Sequence, residues 1–266
     1  MKNFFCVFIV FLMLCGCNSV PVTGRRQLSF IPASEMNSMA LSSYKETLAS
    51  SKISTNTEQT AMIKRVGERI SKAVEQYMAE NNMSSAISGF QWEFNLIDDP
   101  NTVNAWCMPG GKVAFYTGIL PVCQNDIGIA VVMGHEIAHA VANHGSERMS
   151  QEIVVQLGGT ALSTALQQKP EQTQQLAMTV FGVGSQVLGI LPYSRLHESE
   201  ADKMGLIFMA MAGYNPNEAP KFWERMKSLS EGSAPPQFLS THPSDNKRIT
   251  DLQAAMPEAM RYYKPQ

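Results

Sequence analysis

Asp126-Ile127-Gly128-Ile129-Ala130-Val131-Val132-Met133-Gly134-His135-Glu136-Ile137-Ala138-His139 reads as a helix that is apolar on nearly every side. A helix of that kind lies at the centre of a fold rather than on its surface. Asn125 or Asp126 is placed to cap its start and Gly145 to end it. Its last turns carry His135-Glu136-Ile137-Ala138-His139. Residues four apart on a helix lie about 40° apart around the axis, one turn up. Both imidazoles therefore point the same way and can hold one zinc ion, with Glu136 beside them to take a proton from an attacking water. Two histidines and a glutamate are costly in so apolar a helix without a partner, and a metal ion supplies one.

A catalytic zinc keeps three protein ligands and one open position, so a third ligand must come from elsewhere. His144 follows His135 by nine residues, about half a turn away in projection, and faces the opposite side. The better source is Leu196-His197-Glu198-Ser199-Glu200-Ala201-Asp202. Glu198 and Asp202 lie four apart on one helical face. Glu198 is placed to ligate while Asp202 accepts a hydrogen bond from a ligating histidine. Glu200 points roughly the other way and is the alternative.

Outward from these helices, the apolar positions Ile63, Val66, Ile70, Ala73, Val74 and Tyr77 predict an amphipathic helix over 58–79, closed by Asn81-Asn82. Glu35 to Leu48 predicts a shorter one. Residues 90–97 alternate as a half-buried strand, Asp98-Asp99-Pro100-Asn101 is a turn, and extended stretches at 103–108 and 112–116 flank Pro109-Gly110-Gly111. The fold class expected is mainly α with a small antiparallel β-sheet (α+β). Residues 152–191 are apolar but broken by glycines, with a glutamine-rich middle from Gln167 to Gln175. They read as two helices, either packed in the core or forming a lid or membrane-contacting hairpin. Helices are also expected over 195–212, from Asn215-Pro216 to about Ser230, and from Pro243 or Ser244 onward, with 233–241 as loop.

The 266 residues carry a formal net charge of −2. That balance offers no basic stripe for nucleic acid. Lys2 and the apolar run Phe4 to Leu14 fit a secretory leader, because the run is too short to span a bilayer. The sequence Leu14-Cys15-Gly16-Cys17 resembles a bacterial lipobox. That resemblance implies cleavage after residue 16 and lipid on Cys17, and Asn18 then favours outer-membrane sorting. Residues 17–57 are expected as tether and N-terminal segment, and 58–266 as the folded domain. Cys107 and Cys123 remain as a pair. In an oxidising compartment they form either a disulfide or two buried free thiols.

The chain resembles the zinc metallopeptidases that include bacterial HtpX, the periplasmic proteases LoiP and BepA, and the eukaryotic CAAX prenyl protease, and LoiP-like lipoproteins most of all. The resemblance rests on Val22-Thr23-Gly24-Arg25-Arg26-Gln27-Leu28, on Asn104-Ala105-Trp106 through Pro109-Gly110-Gly111 to Thr117-Gly118, and on Gly134-His135-Glu136-Ile137-Ala138-His139. It extends to Ser194-Arg195 with Glu198, Ala201 and Asp202, and to Thr241-His242-Pro243 with Arg248. It implies a zincin-type domain with one zinc per chain, held by His135, His139 and Glu198 rather than Glu200. It implies that an edge strand near Asn104, Ala105 and Trp106 binds extended substrate, and that His242 can occupy the open zinc position. His242 or Arg248 would steady the oxyanion. The expected function is cleavage of unfolded or misassembled envelope proteins, on a lipid-anchored chain facing the periplasm. Expected partners are unfolded proteins, outer-membrane proteins and their assembly machinery. The alternative is a chaperone or assembly factor with little protease activity.

Overall fold

The computed structural model describes residues 17–230, 236–243 and 246–265. The expected leader, residues 1–16, lies outside them. The chain divides into two compact units. One holds the N-terminal residues to Pro32 together with Asn143–His197, and the other holds Ala33–Ala142 and Glu198–Gln266.

The larger unit begins with helices α1 (Ala33–Ser50) and α2 (Thr57–Glu80). Helix α2 starts where Asn56 Oδ1 accepts from the amide of Gln59 at 3.1 Å, which satisfies one of the orphan donors of a first turn. Strands β3 (Glu93–Ile97), β4 (Ala105–Met108) and β5 (Lys112–Tyr116) follow, numbered after β1 and β2 of the other unit. A short helix α3 (Leu120–Cys123) leads into α4 (Asp126–Val141). Asn125 caps α4, its side chain accepting from Ile127 and Gly128. Every residue of α4 from Gly128 to Val141 is buried. Helix α4 packs against α2, strand β4 and helix α8 (Glu218–Ser230), so the apolar stretch is the core, as its composition predicts. Helices α9 (Gln237–Thr241) and α10 (Asn246–Ala259) complete the unit. Part of the expected loop at 233–241 is thus helical; residues 231–235 lie outside the described residues.

The sheet corrects one expectation. Its strand order is β3-β5-β4, with β4 and β5 antiparallel but β3 and β5 parallel. Gly110 and Gly111, at φ 82° and 80°, turn the β4–β5 hairpin through a backbone region that favours glycine. The loop after β3 carries the chain past the position β5 will take, so β5 returns between its neighbours and runs with β3. Alternation in sequence announces an extended backbone but not its partner. Strand β4 lies at one edge of the sheet.

No disulfide joins Cys107 and Cys123; both are free thiols. They sit on separate elements, β4 and α3. Cys107 Sγ donates to the carbonyl of Met108 at 3.6 Å. Burial pushes the Cys123 thiol up to about 12, which keeps it from the thiolate form that exchange requires.

In the smaller unit, β1 (Cys17–Ser19) and β2 (Arg26–Leu28) pair antiparallel. The stretch expected as a tether is therefore folded from its first described residues. Helices α5 (His144–Leu166) and α6 (Glu171–Gly184) form the two-helix segment anticipated around 152–191. Gly145 does not end α4. Asn143, at φ 56°, breaks the chain direction, and Gly145 lies inside α5. Helix α7 (Leu191–Met211) belongs to the smaller unit up to His197 and to the larger from Glu198. No single helix among the described residues is long and apolar enough to cross a membrane.

Candidate metal centre

Helices α4 and α7 meet at glycine on glycine. A Cβ on Gly205 would lie 2.9 Å from the His135 amide nitrogen, and one on Gly134 would lie 2.9 Å from the Gly205 carbonyl oxygen. Only bare backbones allow this approach. It brings the face of α4 that carries His135 and His139 against the face of α7 that carries Glu198 and Asp202.

Four donors converge there: His135, His139, Glu198 and His242, with one ligand atom from each lying within 4.8 Å of the others. His139 Nε2 is 3.1 Å from His135 Nε2, and His135 Nε2 is 3.2 Å from His242 Nδ1. Both Glu198 oxygens are 3.0 Å from His242 Nδ1. Glu198 Oε1 lies 3.3 Å from His139 Nε2 and Oε2 lies 3.4 Å from His135 Nε2. Zinc bonds of about 2.0–2.1 Å in a tetrahedron set ligand edges of about 3.3–3.4 Å, so these spacings fit one zinc ion. Asp202 holds His135 Nδ1, which turns the His135 Nε2 lone pair toward His139, Glu198 and His242, and a shared cation is the arrangement that satisfies so many converging lone pairs.

The surrounding residues fix the donors. His135 Nδ1 is 2.9 Å from Asp202 Oδ1, the carboxylate–histidine pairing that sets a ligand's tautomer and ring orientation. Arg248 donates to Glu198 Oε2 at 3.1 Å, to Asp202 Oδ1 at 2.7 Å and to the Pro243 carbonyl at 3.0 Å. Its guanidinium lies 3.3 Å from the ring centroid of Trp223, a cation–π contact in a desolvated place. Arg248, expected to face the oxyanion, is thus engaged with the two carboxylates in this conformation. Phe238 stacks on Trp223 at 5.7 Å and lies 4.8 Å from His242, walling the site with aromatic rings.

Burial raises the Glu136 carboxyl above its ordinary range, against the nearby His242 and His135. Burial acts in the same sense on Glu198 but is outweighed by His139 and the other imidazoles, which hold this carboxyl well below its ordinary range. Asp202 is likewise held low, with Arg248 and His135 overcoming its burial. One carboxyl is thus poised to accept a proton while its neighbours stay ionised. Glu136 Oε1 is buried, has no hydrogen-bond partner and lies 3.4 Å from His242 Nε2.

Of the residues expected from sequence, His135, Glu136, His139, Glu198, Asp202, His242 and Arg248 come together. Glu200 is outside the donor group. His144 is also outside it and stacks on His197. Asn104, Ala105 and Trp106 lie on or beside the edge strand β4, which packs against α4. Cys17 opens β1. Trp223, Phe238 and Gly205 carry no local signature and are visible only once the fold is assembled.

Residues 64–256 match the profile described as peptidase family M48. The chain belongs to peptidase family M48. The domain is zinc-dependent, in keeping with the donor geometry. Relatives include the mitochondrial metalloendopeptidase OMA1 of Schizosaccharomyces pombe, 34% identical over 90% of this chain and 66% of the relative. The mitochondrial metalloendopeptidase OMA1 of Homo sapiens is 28% identical over 98% of this chain and 50% of its own length. The putative β-barrel assembly-enhancing protease of Vibrio cholerae is 33% identical over 65% and 35%. The chain therefore spans about a third to two thirds of these relatives. The family expectation holds, but these relatives are mitochondrial OMA1 proteins and a β-barrel assembly-enhancing protease rather than the LoiP-like lipoproteins expected from sequence.

Proposed function

We propose that this M48 chain is an endopeptidase that hydrolyses peptide bonds of unfolded or misassembled proteins. The observation that carries this reading is the buried Glu136 Oε1, without a hydrogen bond and facing His242 Nε2 at 3.4 Å, beside a four-donor cluster. A purely structural metal site has no use for such a carboxylate. His135, His139 and Glu198 would hold a zinc ion, which would supply Lewis-acid polarisation of the scissile carbonyl and a lowered water pKa. Glu136 accepts the proton of the attacking water and delivers it to the leaving amine. Asp202 and Arg248 hold His135 and Glu198 in place, and the buried aromatic wall excludes bulk water. Substrate binds extended along β4, where backbone pairing reads main chain rather than side chains and tolerates varied sequences. The resting arrangement is latent. His242 takes the position that substrate needs, and its withdrawal opens the site and frees it to assist the oxyanion.

The setting we propose is the bacterial envelope, with lipid on Cys17 and the chain facing the periplasm from the outer membrane, as in LoiP-like lipoproteins. The Vibrio relative's name, a β-barrel assembly-enhancing protease, supports outer-membrane proteins and their assembly machinery as clients. It also supports the second reading, assembly assistance with minor cleavage. Helices α5 and α6 favour membrane proximity. No charged residue stands between Glu152 and Lys169 or between Glu171 and Arg195, and Leu157, Leu176, Val180 and Val183 are exposed. Cys17→Ser is expected to move the chain from the membrane to the soluble periplasmic fraction; unchanged fractionation refutes the anchor. Glu136→Gln is expected to keep zinc but lower cleavage of casein by about 10²–10⁴-fold. Undiminished cleavage removes Glu136 from this role, and the reaction with it.

A further inference from the structure

Within the smaller unit, Arg25 of the N-terminal segment forms a partly buried ion pair with Glu147. Arg25 donates to both oxygens of Glu147, at 2.9 and 2.6 Å, the two-point match that makes arginine–carboxylate pairs geometrically specific. Glu147 is 1% exposed. Its Oε2 also lies 2.8 Å from His197 Nε2. His144 stacks on the His197 ring, with centroids 4.2 Å apart and planes 16° from parallel. Arg25 and His197 together hold the Glu147 carboxyl down at about 2, against its burial.

The turn that presents Arg25 is itself constrained. The Val20 amide donates to the Arg25 carbonyl at 2.7 Å and the Gly24 amide to the Val20 carbonyl at 2.9 Å. Val22 sits at φ 73°, a conformation that a β-branched residue adopts only where its surroundings impose it. The adjoining chain is tied down as well, with the Phe30 amide donating to Ser150 Oγ at 3.0 Å.

His197 occupies a decisive position. Helix α7 is preceded by a π-helical turn, Ser185–Ile190. Leu191, Ser194, Arg195 and Leu196 are exposed, and His197 is the first buried side chain among the described ones of this helix. Glu198, the third protein ligand, is the next residue. The Glu147–His197 bond holds the side chain immediately before Glu198 on this helix.

We infer that Arg25 and Glu147 are positioning residues of the metal centre: they lock His197 and thereby fix the helical turn that presents Glu198. This rests on Glu198 being a zinc ligand.

Zinc affinity of the full chain, measured by competition with a chromogenic chelator, tests the inference. Arg25→Met and Glu147→Gln are expected to weaken zinc binding about tenfold or more, within the range for groups that orient ligands. Excess zinc should restore casein cleavage. Arg26→Met, on the neighbouring exposed arginine, should bind as wild type. Wild-type affinity in both Arg25→Met and Glu147→Gln overturns the inference, as does a loss of thermal stability in the metal-free protein with unchanged zinc affinity. Should a single variant fail to fold, Arg25→Met/Glu147→Met removes both charges together. It should fold and still bind zinc more weakly; wild-type binding in it refutes the positioning role. Glu198→Ala runs in parallel. If that variant keeps wild-type affinity, the zinc-site reading itself fails. If it loses zinc while the Arg25 and Glu147 variants do not, only the positioning role fails.

Discussion

At the scale of single residues, the site is a problem of buried charge that several groups solve together. Glu198, Asp202 and Glu136 are all buried, at 9%, 8% and 4% exposure. Burying carboxylates is tolerable only with strong partners. Arg248 answers two of them, and the imidazoles answer Glu198 again. Glu136 differs, since its Oε1 makes no hydrogen bond and faces the His242 ring at 3.4 Å. His242 is the residue whose role separates a latent enzyme from a closed structural site. Its Nδ1 stands among the ligand atoms while its Nε2 faces Glu136. His242→Ala is expected to leave zinc bound through three protein ligands and to raise basal casein cleavage several-fold by opening the fourth position. Loss of zinc together with no gain in cleavage would make His242 a structural ligand.

At the scale of elements, the site depends on how closely two helices approach. The Gly134–Gly205 crossing sets that distance, because any side chain there meets backbone rather than a flexible neighbour. Gly205→Ala adds one methyl at 2.9 Å from the His135 amide nitrogen. Overpacking of this kind costs typically about 1–3 kcal/mol, and here it also parts His135 from Glu198. The expected result is a lowered thermal midpoint and weaker zinc binding. An unchanged midpoint with full zinc affinity would show that the crossing relaxes freely and does not set the site. The helix carrying His135 and the spacing from Glu198 to Asp202 were legible in sequence because both are local, periodic patterns. The crossing was not, because Gly134 and Gly205 are unremarkable until 71 positions of chain bring them together. The parallel β3–β5 pairing escaped for the same reason. Alternation specifies two faces of a strand and leaves its neighbours open.

At the scale of the whole molecule, the chain brings ligands from three separate elements, spread over 107 positions of sequence, around one ion. His135 and His139 come from the buried helix, Glu198 from α7, and His242 from the end of α9. The metallopeptidase character could be read from five consecutive residues. The aromatic wall of Trp223 and Phe238, and the Arg25–Glu147 pair spanning 122 positions, could not, since nothing in a local window links them. Of the two readings left open for Cys107 and Cys123, the free thiols hold, and the cysteine count could not decide it because an even count says nothing of where their elements lie. All of these contacts serve one claim, that two imidazoles and the Glu198 carboxylate hold a single zinc. Metal content of the purified chain, measured by elemental analysis beside Glu198→Ala and Glu136→Gln, tests it most directly. One zinc per chain in the wild type and in Glu136→Gln, with most of it lost from Glu198→Ala, is the result expected. Full zinc retention in Glu198→Ala would contradict the account.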